Sequence, residues 1–156
     1  MNILHESALT YCTPAEKGVI AENIAENHFI AHGYEVSKPK LGISPYDFIV
    51  INPELNTRET VQVKHIYDNK LKTYSSGAGR DKGGKRKRIS YAKYGIDWLV
   101  GVNIETNQVF CYHHDYYCNK QSISVYKHPS QQIMLIKNRG FKQYGKNYDH
   151  VSLDEL

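Results

Sequence analysis

The sequence predicts an α/β fold in which helices flank a mixed sheet. Two observations carry this prediction: a well-capped helix precedes three strand-like runs, and a short helix separates these runs from two more. With 156 residues, the chain is long enough for one domain with a substantial core and too short for two ordinary ones. We therefore expect the order helix, three strands, helix, two strands within one domain.

The first helix has a clear start and a clear stop. Thr13 can accept a hydrogen bond from the backbone of Glu16, whose side chain can return one, and Pro14 suits the first helical position. Gly33 is placed to end the helix, which predicts helical structure over residues 14–32. Its predicted apolar stripe comprises Ile20, Ala21, Ile24, Ala25 and Ala31.

Polar side chains interrupt two runs that otherwise predict buried strands, Phe48–Ile51 and Val61–Ile66. Asp47 directly precedes the first of these strands. In the second, Gln62 and Lys64 share one face because side chains alternate along a strand, and the valines beside them face the other way. One face of the predicted hairpin is therefore polar and the other is apolar.

The turn between these strands determines which residues lie opposite each other. A loop over residues 54–57 places Asp47 opposite Lys64 and Ile49 opposite Gln62. Opposite residues of an antiparallel pair project to the same side, so the three polar side chains should converge. A slip of one residue would turn the aspartate into the hydrophobic layer.

These three side chains have the chemistry that phosphodiester hydrolysis requires. Carboxylate and amide oxygens can hold Mg2+ and leave water on the ion. A lysine beside them can position the attacking water or stabilise phosphate charge. The other interpretation of this hairpin is a solvated edge without catalytic function.

Three segments together resemble the PD-(D/E)XK nuclease superfamily: Lys17–Glu22, Pro45–Asp47 and Gln62–Lys64. Within the superfamily, the chain is most similar to the homing endonucleases encoded by group I introns of bacteria and phages. The resemblance implies a restriction-endonuclease-like core with the element order α-β-β-β-α-β-β. The superfamily has a second carboxylate where this chain has Gln62, a departure that the intron-encoded branch resembles. A neutral ligand there should weaken metal affinity.

The resemblance implies a Mg2+-dependent endonuclease, with Mn2+ able to substitute, that cuts both strands of a long DNA target. Two strands need two active sites, so it also implies a homo-oligomer, either a dimer or a tetramer. The alternatives are a Holliday-junction resolvase, a repair or restriction nuclease on the same core, and a non-catalytic DNA-binding protein. The implied catalytic residues are Asp47, Gln62, Lys64 and Glu22, and the implied metal ligands are Asp47, Gln62, the Val63 carbonyl and Glu22.

A basic, glycine-rich segment spans residues 75–88, with six basic residues and four glycines. It can bury little apolar area and its charges repel, so we predict a loop that only a partner such as a phosphate backbone orders. A solvated flexible loop is the alternative. The net charge of +4 also favours a polyanionic partner. The predicted DNA-binding residues are Lys70, Lys72, Tyr74, Arg80, Lys82, Lys85, Arg86, Lys87, Arg88, Arg139 and Lys142.

Shorter patterns predict the remaining elements. A strand is expected at Tyr34–Ser37, and a short helix ended by glycine is expected over Ser90–Gly95. A second strand pair is predicted at Ile96–Ile104 and Gln108–His113, followed by an edge strand at Ser122–Tyr126. These elements complete the predicted α/β order.

The predicted organisation is an N-terminal arm over residues 1–12, a nuclease core over residues 13–127 and a C-terminal extension over residues 128–156. Cys111 and Cys118 flank two histidines, but their spacing does not match a zinc finger, so we expect reduced thiols. The sequence has no apolar run of membrane-spanning length and no hydrophobic leader, which predicts a protein of the cytoplasm of a bacterial or phage-infected cell, without membrane partners.

Overall fold

The structure, a computed structural model, describes residues 6–42, 44–80 and 82–136. None of the helices in these ranges is long and apolar enough to cross a membrane. The helices are α1 (Glu6–Thr10), α2 (Pro14–Ala31), a 3-10 helix (Tyr91–Tyr94) and α3 (His114–Tyr117). The strands are β1 (Glu35–Ser37), β2 (Phe48–Asn52), β3 (Thr57–His65), β4 (Lys70–Lys72), β5 (Tyr74–Arg80), β6 (Arg86–Ser90), β7 (Trp98–Asn103), β8 (Gln108–His113) and β9 (Ser122–Ser124).

The central sheet has five strands in the order β1-β2-β3-β7-β8. The β3–β7 pair is parallel, whereas β1–β2, β2–β3 and β7–β8 are antiparallel. The predicted α/β architecture, a mixed sheet flanked by helices, is therefore confirmed. A parallel pair needs a long crossover. Here the crossover from β3 to β7 contains β4, β5, β6 and the 3-10 helix.

Helix α2 forms where the sequence predicts it. The backbone N–H of Thr13 donates to Glu16 Oε1 at 2.9 Å and that of Glu16 donates to Thr13 Oγ1 at 3.1 Å, which completes the capping box. Gly33 follows the helix with a φ of 99°. The helix buries Ala21, Ala25 and Phe29, which recur every four residues, whereas Ala31 is exposed, so its predicted place in the stripe is wrong.

Two apolar clusters cover the two faces of the sheet. Side chains of β7 alternate between them: Val100 and Val102 pack on the α2 side, and Leu99 packs on the opposite side. In β3, Val61 and Val63 likewise face α2. The polar residues between and after these valines therefore belong to the other face, as the alternation predicts.

The register of the β2–β3 hairpin differs by two residues from the predicted one. Ile49 lies opposite Thr60 rather than Gln62. Asp47 directly precedes β2, so its predicted position opposite Lys64 is wrong as well. Because the slip is an even number of residues, every side chain keeps its predicted face. The face of β3 that carries Gln62 and Lys64 is therefore the polar face, as predicted.

The turn explains this shift. Asn52 ends β2, and its side-chain oxygen accepts hydrogen bonds from the backbone N–H groups of Glu54 (3.0 Å) and Leu55 (3.1 Å). Asn56 adopts a φ of 54°, which asparagine tolerates better than most residues. The loop is therefore residues 53–56, one position earlier than predicted.

The basic segment forms a hairpin, so the prediction of a loop over residues 75–88 is wrong. Strand β5 pairs antiparallel with β6, with an irregularity between Ser76 and Arg80. The polar composition of the segment suggested a disordered loop. Pairing of the two strands, however, satisfies their backbone hydrogen-bonding groups without apolar burial. Next to the hairpin's base, the buried Thr73 accepts a hydrogen bond from the backbone N–H of Tyr91 at 3.0 Å.

Most of the later predictions are confirmed. The 3-10 helix is capped by Ser90 and ends at Gly95, whose φ is 70°. Strands β7 and β8 form the predicted pair, and β9 lies within the predicted edge strand and pairs with β4. The predicted division into arm, core and extension stays a prediction, although Ile133 and Ile136 of the extension are buried in the α2-side cluster.

Gly101 in β7 has no room for a side chain. An added Cβ would lie 3.0 Å from Ile66 side-chain atoms and 3.2 Å from Leu71. We expect Gly101→Ala to lower the free energy of unfolding by about 1–3 kcal/mol, measured by urea denaturation. Gly18→Ala is the control: it lies in α2 with nothing within 4 Å of its Cβ, and it should raise stability by roughly 0.5–1 kcal/mol. Wild-type stability of Gly101→Ala would contradict this packing.

Candidate active site

Asp47 lies half-buried just before β2, at the end of the β2–β3 hairpin opposite its turn. Its Oδ2 accepts a hydrogen bond from the backbone N–H of Val63 at 2.7 Å. Burial raises the pKa of Asp47 to about 6, although this hydrogen bond opposes the shift. The charge of Glu22 raises the pKa further, and those of Lys38 and Lys64 lower it. The Asp47 carboxylate is therefore partly desolvated and lies near several charged groups.

Gln62 lies beside this carboxylate on β3. Its amide nitrogen donates to the backbone carbonyl of Val63 at 3.2 Å. The amide oxygen is then the atom of Gln62 that can act as a metal ligand. The predicted carbonyl ligand of Val63 already accepts this hydrogen bond, and a carbonyl oxygen has a second lone pair for another partner.

Lys64 is the third member of the predicted trio. Burial lowers its pKa, and the charges of Asp47 and Tyr74 oppose that shift. Its Nζ lies 5.5 Å from the centre of the Tyr91 ring. Tyr91 is only 4% exposed, and burial, assisted by the charge of Asp47, raises its pKa to about 12. The sequence indicated a short helix around Tyr91 but gave no sign that its ring would line this site.

Glu22 reaches the same region from α2. Its Oε1 lies 2.9 Å from Nζ of Lys38, and Oε2 of Glu26 lies 2.9 Å from the same nitrogen. The charge of Glu22 also acts on Asp47, whose pKa it raises. Lys38 was not predicted as a site residue, because it lies in a loop without periodicity or motif.

A cleft of about 650 Å³ opens beside these groups. It is lined by Gln62 and Lys64 and by two of the predicted DNA-binding residues, Lys70 and Lys72. The centre of the Tyr74 ring lies 6.0 Å from Lys72 Nζ and 4.6 Å from the Arg88 guanidinium carbon.

The other predicted DNA-binding residues fall into three groups. Lys82, Lys85, Lys87 and Arg88 are exposed on the hairpin of β5 and β6. Arg80 and Arg86 lie in its strands, where the structure describes their backbone. Arg139 and Lys142 lie outside the described residues.

A second cluster of possible metal ligands lies near the start of β3. One ligand atom each from Glu59, Asp97 and His113 lies within 4.8 Å of the others. His113 Nε2 is 3.5 Å from Glu59 Oε2, and Asp97 Oδ2 accepts a hydrogen bond from the backbone N–H of Thr60 at 2.8 Å. Such a set of nitrogen and oxygen donors can bind a divalent ion. No sequence pattern indicated that these three residues would meet.

The cysteines behave as the sequence predicts. Cys12, Cys111 and Cys118 are free thiols. Cys111 is buried in the α2-side cluster, and burial raises its pKa to about 12. A thiol that stays protonated at neutral pH is a poor zinc ligand. This favours the reduced-thiol interpretation over zinc.

The chain matches no protein-family model and no curated protein. Its fold is similar to the solved structure of the bacterial homing endonuclease I-Ssp6803I, with a TM-score of 0.59. The similarity covers 90% of this chain and 96% of that chain, at 19% sequence identity. At this identity the comparison shows a shared fold.

Proposed function

We propose that this protein is a metal-dependent endonuclease that hydrolyses phosphodiester bonds in double-stranded DNA, with the target specificity of a homing endonuclease. The observation that supports the proposal is the environment of Asp47, which accepts a hydrogen bond from Val63 and lies in the electrostatic field of both Glu22 and Lys64. The fold is similar to that of a bacterial homing endonuclease, which supports the same conclusion. The PD-(D/E)XK resemblance is part of this proposal.

The donors at this end of the sheet fit Mg2+. Asp47 uses Oδ2 for the Val63 N–H, which leaves its other carboxylate oxygen for an ion. Its raised pKa reflects a buried charge that a cation would stabilise. Gln62 would add an amide oxygen, and Glu22 would contribute through water or directly. Mg2+ at this position would lower the pKa of its bound water and stabilise phosphate charge, and Mn2+ should substitute.

Lys64 would act on the phosphate and on the attacking water. Its ammonium group lies 5.5 Å from the centre of the Tyr91 ring and in the field of Asp47, so a positive charge is present before substrate binds. A fixed positive charge in a partly buried site stabilises developing negative charge more than a solvated one does. The lowered pKa also brings this amine closer to exchanging a proton with water near neutral pH.

DNA would lie across the cleft and the basic hairpin. Lys70 and Lys72 line the cleft that Lys64 also lines, so the phosphate backbone can pass from these lysines to the reacting group. The hairpin of β5 and β6 extends the positive surface. One domain carries one such site, so we propose a homo-oligomer that presents two sites to the two strands.

Incubation with DNA and Mg2+ tests this function. We expect Mg2+-dependent double-strand breaks, and mapping of the ends in a pool of sequences should show one defined target. Preference for four-way junctions would indicate a resolvase instead, and scattered nicks would indicate a repair-type nuclease. Purified protein that binds DNA but never cuts it with Mg2+ or Mn2+ would refute the proposal.

Neutralising the basic hairpin should weaken DNA binding through salt-dependent contacts. With Lys85, Arg86, Lys87 and Arg88 all changed to glutamine, we expect the slope of log affinity against log salt to fall by about 2–3. The control changes Lys93 and Lys127, exposed lysines outside the hairpin, to glutamine, and its slope should stay near that of the wild type. An unchanged slope in the hairpin variant would mean that this hairpin does not contact phosphate.

A further inference from the structure

Lys38 connects two carboxylates of α2. Its Nζ lies 2.9 Å from Glu22 Oε1 and 2.9 Å from Glu26 Oε2. The two glutamates are one helical turn apart, and Lys38 follows β1 in the loop that leads to β2. One ammonium group therefore bridges both acids at the edge of the candidate site.

This ammonium group also acts on the candidate metal ligand of β2. Its charge favours the ionised form of Asp47, whereas the charge of Glu22 opposes it. Three carboxylates thus share the field of one lysine, and two of them are the acidic ligands of the proposed site. A divalent ion bound there would be repelled by the ammonium group of Lys38, which is already paired with Glu22.

We propose that Lys38 is a tethered counter-ion of this site, which holds Glu22 when no divalent ion is bound and leaves it when one binds. This inference rests on the proposed function, because it assigns Glu22 and Asp47 to the ion. Lys38 is thus a positioning residue that sets the concentration of divalent ion at which the site is half occupied.

The side chain of Lys38 can make this exchange. Its exposed fraction is 47%, so the ammonium group can move into solvent, where exposed ion pairs gain little. Glu26 gives it a second partner that remains after Glu22 turns to the ion. Repulsion between the two cations then drives Lys38 away from Glu22. Lys38 would lower the affinity for divalent ions and keep Glu22 in place until one arrives.

Mn2+ binding without DNA tests this inference, because it needs no cleavage. The free Mn2+ signal in electron paramagnetic resonance reports the dissociation constant directly. We expect Lys38→Met, which removes one positive charge near the ion, to tighten Mn2+ binding by roughly tenfold. Lys38→Gln should do the same. The matched control is Lys40→Met, an exposed lysine of the same loop, which should change the constant by less than about twofold.

Two further variants isolate the site. All proteins carry His113→Asn, which disables the Glu59, Asp97 and His113 cluster and keeps a residue that can cap α3. Asp47→Asn in this background should abolish Mn2+ binding. In a Glu22→Gln background the gain from Lys38→Met should shrink to below about threefold, because Lys38 then no longer holds a carboxylate that the ion needs.

The outcomes separate the two proposals. If Asp47→Asn abolishes Mn2+ binding but Lys38→Met binds Mn2+ as the wild type does, or more weakly, the counter-ion role is overturned and the site stands. If Lys38→Met instead weakens only DNA binding, Lys38 contacts phosphate and the inference is overturned as well. Mn2+ binding that survives Asp47→Asn would overturn the proposed site, and this inference with it.

Discussion

Replacing Lys64 with methionine should reduce the Mg2+-dependent cleavage rate by about 10²–10³-fold while DNA affinity falls by less than about threefold. The amine lies 5.5 Å from the Tyr91 ring centre and in the field of Asp47. In the proposed mechanism it stabilises charge that appears only as the phosphodiester bond breaks. Single-turnover cleavage and fluorescence anisotropy measure the two quantities separately. Methionine keeps most of the buried alkyl chain, so the cleft should retain its shape.

A matched control separates the loss of chemistry from a general loss of charge. Lys120 also lies over a tyrosine ring, with Nζ 4.6 Å from the centre of Tyr116, and Lys120→Met should cleave as the wild type does. Burial lowers the pKa of Lys64, so folding disfavours its charged form, and Lys64→Met should unfold no more readily than the wild type. Full cleavage by a folded Lys64→Met protein would remove Lys64 from the mechanism.

Local patterns predicted those parts of the fold that local interactions determine. The capping box of Thr13 and Glu16 and the stop at Gly33 are contacts within a few residues, and both form as predicted. The face of each β3 side chain follows from alternation alone, so it survived an error of two residues in register. The register itself depended on the side chain of Asn52, whose turn geometry the composition of the loop did not reveal.

Contacts between distant segments could not be predicted. Lys38 meets α2 across a loop, and Tyr91 reaches Lys64 from the crossover between β3 and β7. Neither residue lies in a periodic pattern that points to the site. The Glu59, Asp97 and His113 cluster likewise joins three strand ends, which only the order of strands in the sheet brings together. Sequence patterns therefore indicate which side chains share a face of a strand, but not which distant residues lie beside them.

Asp47→Asn should abolish cleavage and, without divalent ions, make the protein more stable. Folding raises the pKa of Asp47 from 3.8 to about 6, mainly through burial. A shift of this size corresponds to about 3 kcal/mol, which solvent near the half-buried carboxylate reduces to about 1–2 kcal/mol. We expect that gain in the free energy of unfolding at pH 8, measured with urea. Asparagine can still accept the Val63 hydrogen bond.

The pH dependence of this gain has a defined sign. Above pH 6 the wild type carries the buried charge in its folded state, so the difference from Asp47→Asn is largest there. Between pH 6 and pH 4 the folded wild type takes up a proton, and the difference should vanish. Saturating Mg2+ should reverse the order of stability, because it stabilises only a protein that binds it.

Binding of Mn2+ should depend on the same protonation of Asp47. Below pH 6 a proton competes for the Asp47 carboxylate, so the apparent affinity of the wild type for Mn2+ should fall by about tenfold per pH unit. Asp115→Asn is the control, because the Asp115 side chain is 89% exposed, and it should match the wild type in stability and cleavage. An Asp47→Asn protein that is less stable than the wild type at pH 8 would show that the Asp47 carboxylate stabilises the fold, and would contradict a role reserved for metal binding.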